Sequence, residues 1–345
     1  MLTIRVGIIG CGSIAQFRHA PEYAGHPDVR LAAFYDRNPE RSARMAEKYG
    51  SNVKESTEAL LQDPDIDAVS ICTSNETHHD LSIAALRAGK HVLCEKPISV
   101  TIEEAEAMKE AALQADRILM IAHNQRFNES HRMARTLLRE GAIGRVLSVR
   151  VTFGHSGPEN WAYVKSTKSW FFDKTRSVFG AAGDLGIHKF DLVRFLLDDD
   201  LSEIAALDGT LHKSDENGSP VAVNDNMVCV FRTSRGVLGT MALSWTYYGE
   251  EDNSTIIYGE KGIMKILADP IHPLIVVHAD GSVERYQSAG MQTNDSQSDS
   301  GVIREFIAAI LQNESSPVDC NDGIASLRML QAAAQSAKEG RLITI

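Results

Sequence analysis

The chain has 345 residues, 43% of them hydrophobic and 23% charged, which is ordinary for a soluble globular protein of about two domains. Its formal net charge of −11 argues against a nucleic-acid-binding surface. No apolar run reaches membrane-spanning length, so no membrane partner is expected.

Residues 1–123 alternate strand and helix, as parallel α/β units do. The expected strands are Ile4–Ile9, Val29–Tyr35, Ala68–Cys72, His91–Cys94 and Ile118–Ala122. Amphipathic stretches between them predict helices over Glu40–Tyr49, Leu81–Ala88 and Ile102–Ala115. Gly89 is a helix stop, and the acidic start of the last helix suits a positive helix N-terminus. From residue 124 the pattern changes. A helix over Glu129–Glu140 precedes β-like runs at Arg145–Phe153, Ile204–Leu211, Met227–Thr233, Val237–Trp245, Ser254–Gly259, Gly262–Ile266, Leu274–His278 and Ser282–Gln287. Turn signals join several of them, which predicts a mostly antiparallel sheet with a few helices. Helices are expected over Gly301–Asn313 and Ile324–Glu339, the last packing back near the first domain. The stretch Gln292–Ser300 is polar, serine-rich and the most disorder-prone. The fold class is therefore α/β: an N-terminal domain of parallel α/β units, residues 1–123, and a C-terminal α+β domain, residues 124–345.

Cys11, Cys72, Cys94, Cys229 and Cys320 are scattered, with no Cys-x-x-Cys pair. They read as reduced thiols of a cytoplasmic protein, consistent with a strand that begins almost at the N-terminus and leaves no room for a signal peptide. His78-His79 lacks metal-ligand spacing and a carboxylate cluster, so no metal is expected.

Gly10-Cys11-Gly12-Ser13-Ile14-Ala15 follows the first strand. Gly10 permits a tight turn, Gly12 lets backbone approach a pyrophosphate, and Ala15 is small enough for close helix packing. Amides at Ser13 and Ile14 would face the phosphates. Asp36 ends the next strand at about the 20-residue offset where a carboxylate accepts from the adenosine ribose. That favours NAD. Arg37 leaves NADP as the alternative, because it could stack on adenine or bind a 2′-phosphate. Glu95-Lys96-Pro97 ends another apolar strand, at the edge where ligands gather in such sheets.

Five motifs in order carry a family resemblance: the glycine loop; Thr73-Ser74-Asn75-Glu76-Thr77-His78; Glu95-Lys96-Pro97; Asn124-Gln125-Arg126-Phe127; and Gly183-Asp184-Leu185-Gly186-Ile187-His188-Lys189-Phe190-Asp191. Together they resemble the Gfo/Idh/MocA oxidoreductases over nearly the whole length. Two departures are Gly180-Ala181-Ala182-Gly183, where many members carry a glycine run, and Ser74, where many carry proline. The resemblance implies a Rossmann domain, a second domain with an open sheet, and a homodimer or homotetramer built through that sheet. It implies reversible hydride transfer between nicotinamide and a secondary alcohol of a sugar, inositol or related polyol. Lys96, Asp184 and His188 match the family's catalytic positions, and a cis bond before Pro97 is implied.

The residue types suit that chemistry. Oxidising an alcohol requires a base, and histidine titrates at about 6.5. Asp184 lies four residues before His188, on the same face of a helix, where it could orient the imidazole or bind a second hydroxyl. Lys96 would hydrogen-bond the reacting oxygen. Taken singly, Lys96 reads as a solvated lysine, Asp184 as a helix N-cap and His188 as a core or surface histidine. Thr73, Asn75, His78 and Glu95 are candidates for the cofactor crevice, with a helix cap as the other reading of Asn75 and His78. Arg126 is a candidate substrate contact or a tie between domains. Trp161, Tyr163, Trp170, Phe171, Phe172, Lys168 and Arg176 are candidates for a sugar pocket or for core packing, with Asp173 and His155 beside them. Trp245-Thr246-Tyr247-Tyr248 reads as a pocket rim or a subunit interface. Two other functions stand beside the dehydrogenase: a non-catalytic dinucleotide-binding sensor, and a dihydrodiol-type dehydrogenase.

Overall fold

The computed structural model describes residues 3–287 and 299–345. Contacts divide the chain into two units, the first formed by residues 3–124, 161–163 and 299–327 and the second by the remainder. Most of the polar stretch 292–300 lies outside the described residues.

In the first unit, β1 (Ile4–Ile9) leads through a π-turn (Ala15–His19) into α1 (Ala20–Gly25). There follow β2 (Val29–Tyr35), α2 (Pro39–Tyr49), β3 (Asn52–Val53), α3 (Thr57–Leu61), β4 (Ala68–Ile71), α4 (His78–Arg87), β5 (His91–Cys94), α5 (Ile102–Ala115) and β6 (Leu119–Ile121). All paired strands run parallel, in the order β3-β2-β1-β4-β5-β6. That is the doubly wound dinucleotide-binding order, with its crevice at the carboxyl ends where strand order reverses. β4 is buried at every residue, as are Val92, Leu93 and Cys94 of β5, because helices cover both faces of a parallel sheet. Continuous apolar runs were therefore the right strand signal. Local caps set the helix ends. Asn38 accepts from Glu40 N–H at the start of α2, and Thr101 and Glu104 form a reciprocal capping box at α5.

The second unit begins with α6 (Glu129–Arg139), β7 (Val146–Gly154) and α7 (Ile187–Leu197). A run of strands follows: β8 (Leu201–Gly209), β9 (Asn226–Thr233), β10 (Leu238–Ser244), β11 (Thr255–Gly259), β12 (Gly262–Ile266), β13 (Leu274–His278) and β14 (Val283–Tyr286). α8 (Val302–Gln312) belongs to the first unit, α9 (Cys320–Glu339) contributes to both, and β15 (Ile343–Thr344) closes the chain. Among the described residues the second sheet has the order β14-β13-β12-β11-β7-β10-β9-β8-β15. Only its β7–β10 pairing is parallel, so the mostly antiparallel expectation matches.

α7 had no helical span assigned from sequence. Its residues Ile187 to Val193 are all buried, so it lacks the polar stripe that marks an amphipathic helix. β3 and β15 are two residues each, too short to carry a period. Across the sheet, Met227, Cys229 and Phe231 of β9 point into the core while Val228 and Val230 are more than half exposed. Val228 pairs with Leu207, itself 76% exposed, which makes an apolar strip on the open face.

Arg126 and the fully buried Asp191 of α7 form a two-pronged ion pair, 2.7 Å on each prong. Both lie in the second unit, so Arg126 fastens the turn before α6 to α7 instead of tying one domain to the other. Arg126→Ala removes the guanidinium from a buried carboxylate. It is expected to lower stability by about 3–5 kcal/mol, read as a lower urea midpoint.

Candidate active site

In the first unit the cofactor cradle is built at the ends of β1 and β2. Gly10 has φ +90°, and a Cβ there would lie 2.6 Å from the Cys72 carbonyl oxygen. Only glycine fits. Its N–H donates to Tyr35 O at 2.8 Å. A Cβ on Gly12 would meet nothing within 4 Å, so the space in front of the second glycine is open. Helical backbone starts at Ser13 and Ile14, whose N–H groups have no intrahelical acceptor. Asp36 spans the gap between strands: Oδ2 accepts Cys11 N–H at 2.7 Å and Oδ1 accepts Asn38 N–H at 2.8 Å. Burial, then the Asp36 charge, pushes the Cys11 thiol up to about 12, so it stays a neutral packing group. Open space before Gly12, bare amides at Ser13 and Ile14, and a carboxylate at Asp36 fit a dinucleotide. Arg37 is exposed beside them.

Two residues expected on the cofactor crevice are engaged elsewhere. His78 has no exposed surface. Its Nδ1 lies 2.7 Å from Pro97 O and its Nε2 3.3 Å from Thr73 O. Burial lowers its pKa, which keeps the ring neutral, and its single N–H goes to the nearer carbonyl, Pro97. Glu95 is only 5% exposed. Its Oε1 accepts from Arg18 Nη2 at 2.8 Å and His19 Nε2 at 2.9 Å, and its Oε2 from the Lys96 N–H at 3.2 Å. Burial alone would raise the Glu95 carboxyl, but Arg18 and His19 outweigh it and hold it well below the usual carboxylate range. His78 and Glu95 brace the Lys96 turn. Lys96 itself is half-buried, and the Lys96–Pro97 bond is cis. Thr73 is half-buried and Asn75, in a 3₁₀ turn (Asn75–Thr77), is 6% exposed.

In the second unit Asp184 lies in a π-turn (Ala182–Gly186) and His188 in the first turn of α7. Asp184 does not cap the helix. Its Oδ2 accepts the Trp245 indole N–H at 3.1 Å and lies 4.0 Å from His155 Nε2. His155 Nδ1 accepts the Gly157 N–H at 3.0 Å, so its proton sits on Nε2, on the side of Asp184. Trp245 is fully buried and is neither rim nor interface. Phe172 meets it edge-on at 5.4 Å, and Trp170 stacks on Phe171 at 4.0 Å. His188 is 9% exposed, its ring 6.1 Å from Phe153. Arg176 is half-buried, and Lys168 is exposed and paired with Glu216.

The aromatic run 161–172 does not stay together. Trp161 and Tyr163 group with the first unit, where the Arg41 guanidinium lies 4.2 Å over the Tyr163 ring and Arg44 hydrogen-bonds its hydroxyl. Four contacts escaped sequence reasoning: Arg18, His19 and His78 on the lysine turn, and Trp245 on Asp184. Each joins residues 19 to 77 positions apart, a separation no local pattern records.

Residues 4–123 match the family model described as an oxidoreductase family with an NAD-binding Rossmann fold, and residues 131–265 match the Gfo/Idh/MocA C-terminal domain. The chain belongs to the Gfo/Idh/MocA oxidoreductase family. It is an oxidoreductase with an NAD-binding Rossmann fold. It is 30% identical to a myo-inositol 2-dehydrogenase of Thermotoga maritima, over 99% of this chain and 98% of that one. It is also 30% identical to an inositol 2-dehydrogenase of Rhizobium meliloti over the full length of both. Among solved structures, a levoglucosan dehydrogenase in complex with NADH and levoglucosan superposes with a TM-score of 0.88 at 26% identity, covering 99% of each chain. None of the described helices of this family member is long and apolar enough to cross a membrane.

Beside His188, Lys189 is wholly buried, its Nζ donating to Asn253 O at 2.8 Å. Burial drives its pKa down to about 7, against the Asp252 and Glu251 charges. An unfolded lysine titrates at about 10.4, so folding disfavours the bound proton. That cost is full below the folded value and vanishes as pH rises past the unfolded one. Lys189→Met is therefore expected to be more stable than the parent near pH 7, by on the order of a few kcal/mol, with the gap closing toward about pH 10. Urea titrations across that range check it.

Proposed function

We propose that this oxidoreductase moves a hydride reversibly between NAD and a secondary alcohol of a sugar, inositol or related polyol. The observation that carries the reading is Asp184, a carboxylate fixed by Trp245 one helical turn before His188. Such a pair supplies the base that alcohol oxidation requires. The names of the full-length relatives, inositol 2-dehydrogenases, support the substrate class.

Bound NAD supplies the hydride acceptor. The backbone at Gly10, Gly12, Ser13 and Ile14 holds its phosphates, Asp36 its adenosine ribose and Arg37 its adenine, with Thr73 and Asn75 along the crevice. Lys96 donates a hydrogen bond to the reacting oxygen. His188 takes the hydroxyl proton, and Asp184 orients that imidazole or binds a neighbouring hydroxyl. Trp170 and Arg176 contact the sugar. Arg126, committed to Asp191, is left out of this set, and so is Trp161, which groups with the first unit.

The apolar strip of Leu207, Val228 and Val230 supports self-association through the open sheet, as a homodimer or homotetramer. All five cysteines are free and buried, which suits a reducing compartment, and we place the enzyme in the cytoplasm.

The test is a panel of inositols, aldoses, anhydrosugars and sugar acids with NAD and NADP, followed by nicotinamide absorbance. Turnover of at least one polyol with NAD is expected. On that substrate, His188→Gln and Lys96→Met should each lower kcat by about 10²–10⁴-fold with NAD still bound. No turnover on the panel alongside tight dinucleotide binding would replace the enzyme with a sensor. Asp36→Ala should shift the ratio of kcat/KM for NAD over NADP by about tenfold or more toward NADP, because a carboxylate repels a 2′-phosphate.

A further inference from the structure

We propose that Glu95 is a positioning residue for Lys96, held in place by Arg18 and His19, so that the helix receiving the cofactor phosphates and the turn carrying the lysine move as one body. The inference rests on the role given to Lys96 above.

Both oxygens of Glu95 are met from within the protein. Glu95 folds back so that Oε2 accepts the N–H of the next residue, Lys96. Its Oε1 is shared by Arg18 and His19. Those two residues lie in the π-turn that continues the helical run begun at Ser13. The second nitrogen of His19 lies 3.1 Å from Ser70 Oγ, which in turn meets the Tyr23 hydroxyl at 2.8 Å. Arg18, His19, Ser70 and Tyr23 are at most 2% exposed. On the far side of the lysine, His78 grips Pro97 O. The backbone of Lys96 is thus pinned before and after, while its side chain remains half-buried.

Stability alone does not account for this arrangement. Taking a carboxylate, a guanidinium and an imidazole out of water is costly, and well-packed apolar side chains of similar volume are often as stable or more so. What a buried network in which both carboxylate oxygens are met does supply is a single geometry, even with Arg18 Nε left without an acceptor. Because Glu95 is only 5% exposed and both its oxygens accept bonds from within the protein, the carboxylate acts through Lys96 and not on a ligand. A displacement of about 1 Å in a hydrogen-bonding lysine is enough to lower kcat by about a hundredfold, so a network of this kind has a kinetic consequence.

Glu95→Gln keeps size and an acceptor but removes the charge that orders Arg18 and His19. The expected result is a kcat lower by about tenfold to a hundredfold, with the Kd for NADH, read from its fluorescence, within about threefold of the parent. A direct cofactor contact would do the reverse: Kd weakened, kcat at saturating NAD unchanged, and the proposal overturned. His19→Leu gives a second route if Glu95→Gln does not fold, and it should lose kcat in the same way. His19→Gln, whose amide can still donate to Glu95, should recover most of that loss. Labelling of Lys96 with an amine-reactive reagent, followed by mass spectrometry of the full chain, reads the placement without turnover. A rate that changes in Glu95→Gln and His19→Leu and returns in His19→Gln supports the proposal; an unchanged rate in the first two overturns it. A parent inert toward every alcohol but showing this labelling pattern would remove the dehydrogenase reading and leave the positioning role standing.

Discussion

At Gly10 the chain leaves β1 at φ +90°, where a side chain would collide with the Cys72 carbonyl of the neighbouring strand. That backbone constraint organises the first unit. The tight exit brings the Cys11 N–H onto Asp36 at the end of β2. It starts a helix at Ser13 with its bare amides beside the carboxyl ends of the strands. About one and a half turns further on, the same helix delivers Arg18 and His19 to Glu95 at the end of β5. β1, β2 and β5 are thereby coupled by polar contacts at their ligand-binding ends, in addition to the apolar packing along their length. Cofactor cradle and lysine turn share one frame.

The second unit uses the same device with different parts. Asp184 sits between Trp245 and His155, and Arg126 meets Asp191 on the next stretch of the same helical segment. Each contact fixes α7, whose first turn carries His188. Asp191 is wholly buried with Arg126 on both its oxygens. Buried charge is costly unless its lone pairs and protons are met, which is why these groups form closed sets and not scattered contacts. Lys189 departs from that rule. Its contacts are a backbone carbonyl and the face of Phe153, and its proton affinity falls accordingly.

Legibility followed physical range. Strand positions in the first unit were visible because both sheet faces are covered and the strands are continuous apolar runs. Strands of the second unit were visible because one face is open and the side chains alternate. α7 was not assigned, because burial all round removes the amphipathic stripe. Asp184 and His188 were legible as a spacing of four and as part of a motif. Trp245, the donor that orders Asp184, was read as rim or interface, since nothing in Trp245-Thr246-Tyr247-Tyr248 records a partner 61 positions away. For His78 and Glu95, proximity to the crevice in sequence does not reveal that their polar atoms are met by Pro97, Arg18 and His19.

By itself, the sequence determined the two-domain α/β plan, the glycine turn and its carboxylate, and the order of motifs that marks the family. These are local or periodic features, and short-range sterics and hydrophobic patterning suffice to produce them. Only the tertiary structure decided which polar side chains remain for a ligand and which are consumed in holding others. Glu95 went to Arg18 and His19, His78 to Pro97, and Arg126 to Asp191, because a buried polar group must find its partner wherever the fold brings one, and that partner is not written nearby in the chain.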